Sequence, residues 1–117
     1  MTAGDTCLFC RIVAGEVPSR QVASSEHTVA FRDVNPKAPT HVLVVPRDHI
    51  ADAHHVSPAH AAAVADMLVT AARVAEAEGV ADSGYRLVLN VGTDAGNTVA
   101  HLHLHVLGGR ALAWPPG

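Results

Sequence analysis

His101, Leu102, His103, Leu104, His105, Val106 and Leu107 alternate imidazole with aliphatic side chain over a run that reads as a β-strand. Strand side chains point alternately to the two faces. The three imidazoles are therefore expected on one face, with Leu102, Leu104 and Val106 on the other. The aliphatic face has a core to meet, so the imidazoles look toward a substrate, a metal or a partner. Three idle surface histidines are the plainer alternative. Strict alternation of a scarce residue beside a polar, glycine-bearing loop argues against it.

An imidazole with the ordinary pKa of about 6.5 is mostly neutral near pH 7 and therefore nucleophilic, while a neighbouring ring is protonated at little cost. Attack on phosphorus by His103 fits this arrangement and needs no metal. The flanking histidines and loop N–H groups would stabilise charge on non-bridging phosphate oxygens. In the preceding loop, residues 92–98, Gly96 allows close backbone approach, and Asn97 and Thr98, with Asn90 before it, supply neutral donors. The chain has no Gly-Lys-Ser/Thr element, which argues against a P-loop nucleotidase.

Strand residues two apart are separated by about 6.6 Å and the outer pair of the triplet by about 13 Å, so at most two of the three histidines would share one ion. Cys7 and Cys10 have the spacing of half a zinc site, and His49 follows a strand end after Pro46. A closed set of Cys7, Cys10, His49 and His101 would tie the N-terminal segment to the sheet. The alternatives are two reduced cysteines packed as small apolar groups, or a thioredoxin-type redox pair. The latter is disfavoured because no helix in a βαβ setting follows the motif. His27, His54, His55 and His60 read as solvated.

The elements that must position these groups follow from pattern. Residues 21–24 and 28–32 alternate as a half-buried hairpin. A loop with Pro36 and Pro39 presents Asp33 at a strand end, and residues 41–45 form a stronger strand closed by Pro46. One helix is expected, with Ser57 as N-cap and Pro58 at its first position, running to about Glu78 before Gly79. Val64, Met67, Leu68, Ala71, Val74 and Ala75 make its apolar face. Residues 85–91 and 99–107 are the last two strands. This order predicts an α+β fold, an antiparallel sheet with one helix packed on it.

With 117 residues the chain suits a single domain, and with 49% hydrophobic and 16% charged residues it has a core to bury. A net charge of −3 gives no footprint for a nucleic-acid polymer but allows a small anionic ligand. Two cysteines make no disulfide framework. No run is long enough to span a membrane, and Asp5 and Cys7 stand where a secretory leader would be apolar, so a cytoplasmic location is expected.

The triplet resembles the His-x-His-x-His-x-x signature of the histidine triad (HIT) proteins. The chain is similar to their Hint branch through Asp33 to Pro36, Ala38 to His41, Pro46 to His49, Gly84 to Asn90, Gly96 to Gly109 and Trp114 to Gly117, nearly its whole length. The resemblance implies a single HIT domain over residues 1–117 and a homodimer whose sheets join into one. It also implies action on purine nucleotides with a substituted α-phosphate, phosphoramidates above all. It makes His103 the nucleophile that forms a nucleotidyl-histidine later cleaved by water. His41 and His105 would contact the phosphate, the main chain at His101 would orient His103, and Thr98, usually Ser, would assist the leaving group.

By the same matching Asn90 lies at the 5′ side, Asp33 binds ribose, and Leu8, Phe9, Phe31 and Val34 line the base pocket. The Cys7, Cys10, His49 and His101 set becomes a structural zinc site. Three departures bear on substrate range: Arg32 where His is common near the ribose, Thr98 for Ser, and Ala113 for a polar residue before Trp114. Rival functions are dinucleoside polyphosphate hydrolysis, a non-catalytic nucleotide-binding regulator, and a zinc hydrolase with the triplet as ligands, which the strand spacing disfavours.

Overall fold

A computed structural model describes residues 7–117. Asp5 lies outside them. The described chain forms five strands, β1 (Gln21–Ser24), β2 (Thr28–Arg32), β3 (Thr40–Pro46), β4 (Tyr85–Val88) and β5 (Leu104–Gly108), and two α-helices, α1 (Leu8–Val13) and α2 (Ala61–Ala77). The strands make one sheet in the order β1-β2-β3-β5-β4, antiparallel at every step. The expected α+β architecture is the one observed. No helix among the described residues is long and apolar enough to cross a membrane.

The sheet is covered on both faces, unequally. Val42 and Val44 of β3 and Leu104 and Val106 of β5 meet Met67, Ala71 and Val74 of α2 in the main core. On the opposite face Leu43 and Val45 join Val29 and Phe31 beneath Phe9 and Ile12 of α1. Period-two alternation thus sends the aliphatic half of β3 and β5 to the long helix and leaves His41 and His105 on the side where only a short helix sits. The site occupies the space α1 does not fill.

Helix α2 starts three residues later than its sequence suggests, because residues 58–60 form a tighter turn in which the His60 N–H bonds Ser57 O at 2.9 Å. It ends as expected, at Glu78 and a left-handed Gly79 with φ +75°. Of its expected apolar face Leu68 is corrected: it is 49% exposed, and Thr70 takes an inward position instead, bonded to Ser25 at 3.2 Å. The same turn region is pinned by Asp66, which accepts from Ser25, from the Thr28 hydroxyl at 2.8 Å and from the His27 N–H at 3.1 Å.

Two strand ends and one helix also depart from the sequence expectation. Strand β5 begins at Leu104, not at residue 99, because the Leu102 N–H turns aside to Ile50 O at 2.6 Å. Residues 89–91 then have no partner strand, so β4 stops at Val88. Helix α1 was not expected at all. At six residues it is too short for apolar periodicity to declare itself, and its N-cap is Cys7, whose sulfur accepts the Cys10 N–H at 3.3 Å.

Candidate active site

The triplet does not act as three equivalent surface groups. His101 is fully buried and lies before the strand begins, so its ring turns into the α1 junction. His103 and His105 remain together, their ring centroids 5.1 Å apart, and His41 stands 5.2 Å from His105. The expected row of imidazoles is in fact a buried anchor, His101, and a cluster of His41, His103 and His105.

Hydrogen bonding fixes which nitrogen of each ring carries the proton. His103 Nδ1 lies 2.7 Å from His101 O, and a carbonyl only accepts, so Nδ1 is protonated and Nε2 keeps its lone pair. The Lys37 N–H donates to His41 Nδ1 at 2.9 Å, which puts the His41 proton on Nε2. That proton is donated to His105 Nδ1 at 2.9 Å, leaving His105 with an N–H at Nε2. His105 Nε2 is buried with no partner; among the described residues only Asn97 Oδ1 shares that condition. A lone pair on His103 beside an unspent N–H on His105 can attack a phosphorus while steadying its oxygens. Burial, reinforced by His103 and His41, pushes His105 down to about 4, so it stands neutral at pH 7. Burial also lowers His41, partly offset by Asp33.

These rings open on a cavity of about 870 Å³, within the range of small-molecule sites. Its far end is apolar, built from Leu8, Phe9, Phe31, Ile12, Leu43 and Val99; Asn90, Gly96, Thr98 and Asp33 line the polar part. Phe9 packs edge-on against His103 at 5.1 Å and against Phe31 at 5.5 Å, joining the two ends. Val34 lines the mouth but is fully exposed. Asn97 does not line the cavity. Gly96 adopts a φ of +84°, a conformation that L side chains rarely take, and a Cβ there would meet no protein atom within 4 Å. Sequence reasoning missed Ile12, which needed α1, and Leu43, which the alternation of His41, Leu43 and Val45 on β3 could have revealed.

Arg32 borders the cavity and directs its guanidinium to both carboxylate oxygens of Glu78, at 2.6 and 2.9 Å, joining β2 to the end of α2. The hydrogen bond from Arg32 holds the Glu78 carboxyl below its usual range.

Cys7, Cys10, His49 and His101 converge with ligand atoms all within 4.8 Å of one another. His101 Nδ1 is 3.2 Å from Cys7 Sγ and 3.3 Å from Cys10 Sγ, and His49 Nδ1 is 3.3 Å from Cys10 Sγ. Neighbouring ligands of a tetrahedral zinc stand about 3.4–3.8 Å apart, so the set needs little adjustment to close on an ion. His101 Nε2 donates to Pro46 O at 2.9 Å, which leaves its Nδ1 lone pair aimed at the sulfurs, as a metal requires. Burial, then Cys7, pushes the Cys10 thiol up to about 11. The sequence expectation of one closed four-residue cluster is met. Cys10 does sit in a helix, but without the βαβ setting of a redox pair.

A HIT domain family model matches residues 14–112. The chain belongs to the HIT family. It is 43% identical over 105 residues to the purine nucleoside phosphoramidase of Escherichia coli K12, covering 90% of this chain and 88% of that protein. It is 44% identical over 110 residues to a HIT-like protein of Synechococcus elongatus, covering 94% and 96%. Among solved structures, a HIT family hydrolase from Legionella pneumophila Philadelphia 1 superposes with a TM-score of 0.92 at 47% identity, covering 95% of this chain and 99% of that one. A histidine triad protein from Clostridium difficile gives 0.89 at 37% identity, covering 97% of each. This HIT protein is a hydrolase.

Proposed function

We propose that this HIT hydrolase is a purine nucleoside phosphoramidase acting through a nucleotidyl-His103 intermediate. The carrying observation is the pairing of a free lone pair on His103 Nε2 with an unpartnered N–H on His105 Nε2, on two rings that line one cavity. A nucleotide base would lie at the apolar end, against Leu8, Phe9 and Phe31, with the α-phosphate among His41, His103 and His105. His103 Nε2 bonds to phosphorus as the P–N bond to the leaving amine breaks. The amine leaves with a proton drawn from solvent, with Thr98 at its side, and Asn90 holds the 5′ oxygen. Water then attacks the same phosphorus as the P–N bond to His103 breaks, returning one proton to solvent, releasing the nucleoside monophosphate and restoring the neutral His103 ring. Asp33 faces the ribose.

Zinc in the Cys7, Cys10, His49 and His101 cluster would be structural, its four ligand positions filled by protein and none left for substrate. Two copies would pair along β4, an edge strand on which Leu87 is exposed, as are Leu89 and Val91 just beyond its end. We assign residues 1–117 to one working domain and, with both cysteines free, to the cytoplasm.

The assignment is tested with His103→Ala. The variant should fold and bind AMP with near-normal affinity yet lose at least about a hundredfold in kcat on adenosine 5′-phosphoramidate. Retained turnover would refute it.

A further inference from the structure

Asp33 does more than border the cavity. Its Oδ1 accepts the Asn35 N–H at 2.8 Å, which fixes the carboxylate plane, and its Oδ2 lies 3.3 Å from His41 Nε2. His41 is 5% exposed and held at its other nitrogen by the Lys37 N–H, so it has no room to turn and one place to keep its proton. That single Nε2–H faces two acceptors, Asp33 Oδ2 and His105 Nδ1.

We infer that Asp33 is a positioning residue for His105, acting through His41: with the Lys37 N–H on Nδ1, the carboxylate beside Nε2 stabilises the same His41 tautomer, and His41 in turn keeps the His105 proton on Nε2, where the proposed phosphate contact lies. This rests on the proposed role of His105 and adds a task to Asp33 distinct from facing the ribose. Of the groups acting on the ring pair, Asp33 is the anion that favours their protonated forms, opposed by Lys37 at His41 and by His103 at His105. The line is also directional. Lys37 main chain, His41, His105 and phosphate form a chain of donors, and the carboxylate sits at the only link where a proton has two destinations.

Asp33→Asn is the informative substitution. Its Oδ1 still accepts from Asn35, so the local turn survives, but an NH₂ group replaces Oδ2 and confronts the His41 N–H donor to donor. The variant and the wild type are compared on adenosine 5′-phosphoramidate and on its 2′,3′-dideoxy counterpart, and the ring nitrogens of His105 are followed by ¹⁵N NMR. The expected result is a kcat loss of at least about tenfold on both substrates, with His105 changing from a single Nε2–H form to a mixture of tautomers. A loss confined to the substrate bearing ribose hydroxyls, or an unchanged His105 signal, would overturn the inference. Should the wild type turn over neither substrate, the phosphoramidase assignment fails, while the tautomer measurement still decides the role of Asp33.

Discussion

The main-chain carbonyl of His101 accepts the Nδ1–H of His103 at 2.7 Å, while the His101 side chain points into the Cys7 and Cys10 cluster. One residue therefore orients the His103 ring with its backbone and anchors the N-terminal helix with its own ring. Phe9, on that helix between the two cysteines, completes the link by packing on both imidazoles, 6.0 Å from His101 and 5.1 Å from His103. The cluster and the reactive ring are parts of one rigid unit.

This linkage predicts that disrupting the cluster disturbs catalysis although none of its side chains touches phosphate. Cys10→Ser should abolish stoichiometric zinc, lower the melting temperature and reduce kcat by about tenfold or more. Metal content by mass spectrometry, thermal melts and steady-state kinetics on one preparation check this. A zinc-free variant with wild-type kcat would separate the two sites.

His105 gives stability a pH dependence of known sign. Its folded value is pushed down to about 4, chiefly by burial, whereas an unfolded imidazole titrates near 6.5. Below about 6.5 the unfolded chain takes up a proton that the folded ring refuses, so stability falls as pH drops from about 6.5 to 4. His41, also lowered by burial, acts in the same direction. Melts at pH 7, 6 and 5 should show a shallower decline for His105→Gln than for the wild type. Carboxylates held low, such as Asp66 and Glu78, lose their contribution only at more acid pH. Parallel declines for the two proteins would contradict the assignment.

Arg32→Ala should act on stability and not on substrate choice. The bidentate pair with Glu78 is partly exposed, 33% and 18% for the two side chains, so its loss is expected to cost about 1 kcal/mol, a fall of roughly 4 °C in Tm. KM values for adenosine and guanosine phosphoramidates should keep their ratio. A changed ratio would give Arg32 a part in substrate choice.

Much of the architecture was legible because β5 falls in an alternating histidine and aliphatic run, β3 is a continuous apolar run closed by Pro46, and α2 has its Ser57, Pro58 and Gly79 punctuation. The cluster of Cys7, Cys10, His49 and His101 was legible from spacing and from resemblance to relatives together. What escaped was tertiary. The Leu102 N–H chooses Ile50 O over a strand neighbour, and that choice shortens both β4 and β5 and drops His101 out of the row its sequence promised. Alternation along a chain cannot report a partner fifty residues away. Arg32 escaped for a related reason: a position matched by sequence places the Cα, while the Glu78 carboxylate at the end of α2 decides where the guanidinium goes.

The central assignment, a bond between His103 and a nucleotide's phosphorus, is tested most directly by catching it. Wild-type protein mixed with adenosine 5′-phosphoramidate, acid-quenched within a single turnover and weighed intact, should carry one added adenylyl group, mapped by fragmentation to His103 and missing from His103→Ala. An adduct on another histidine, or none at any time while AMP accumulates, would contradict the account.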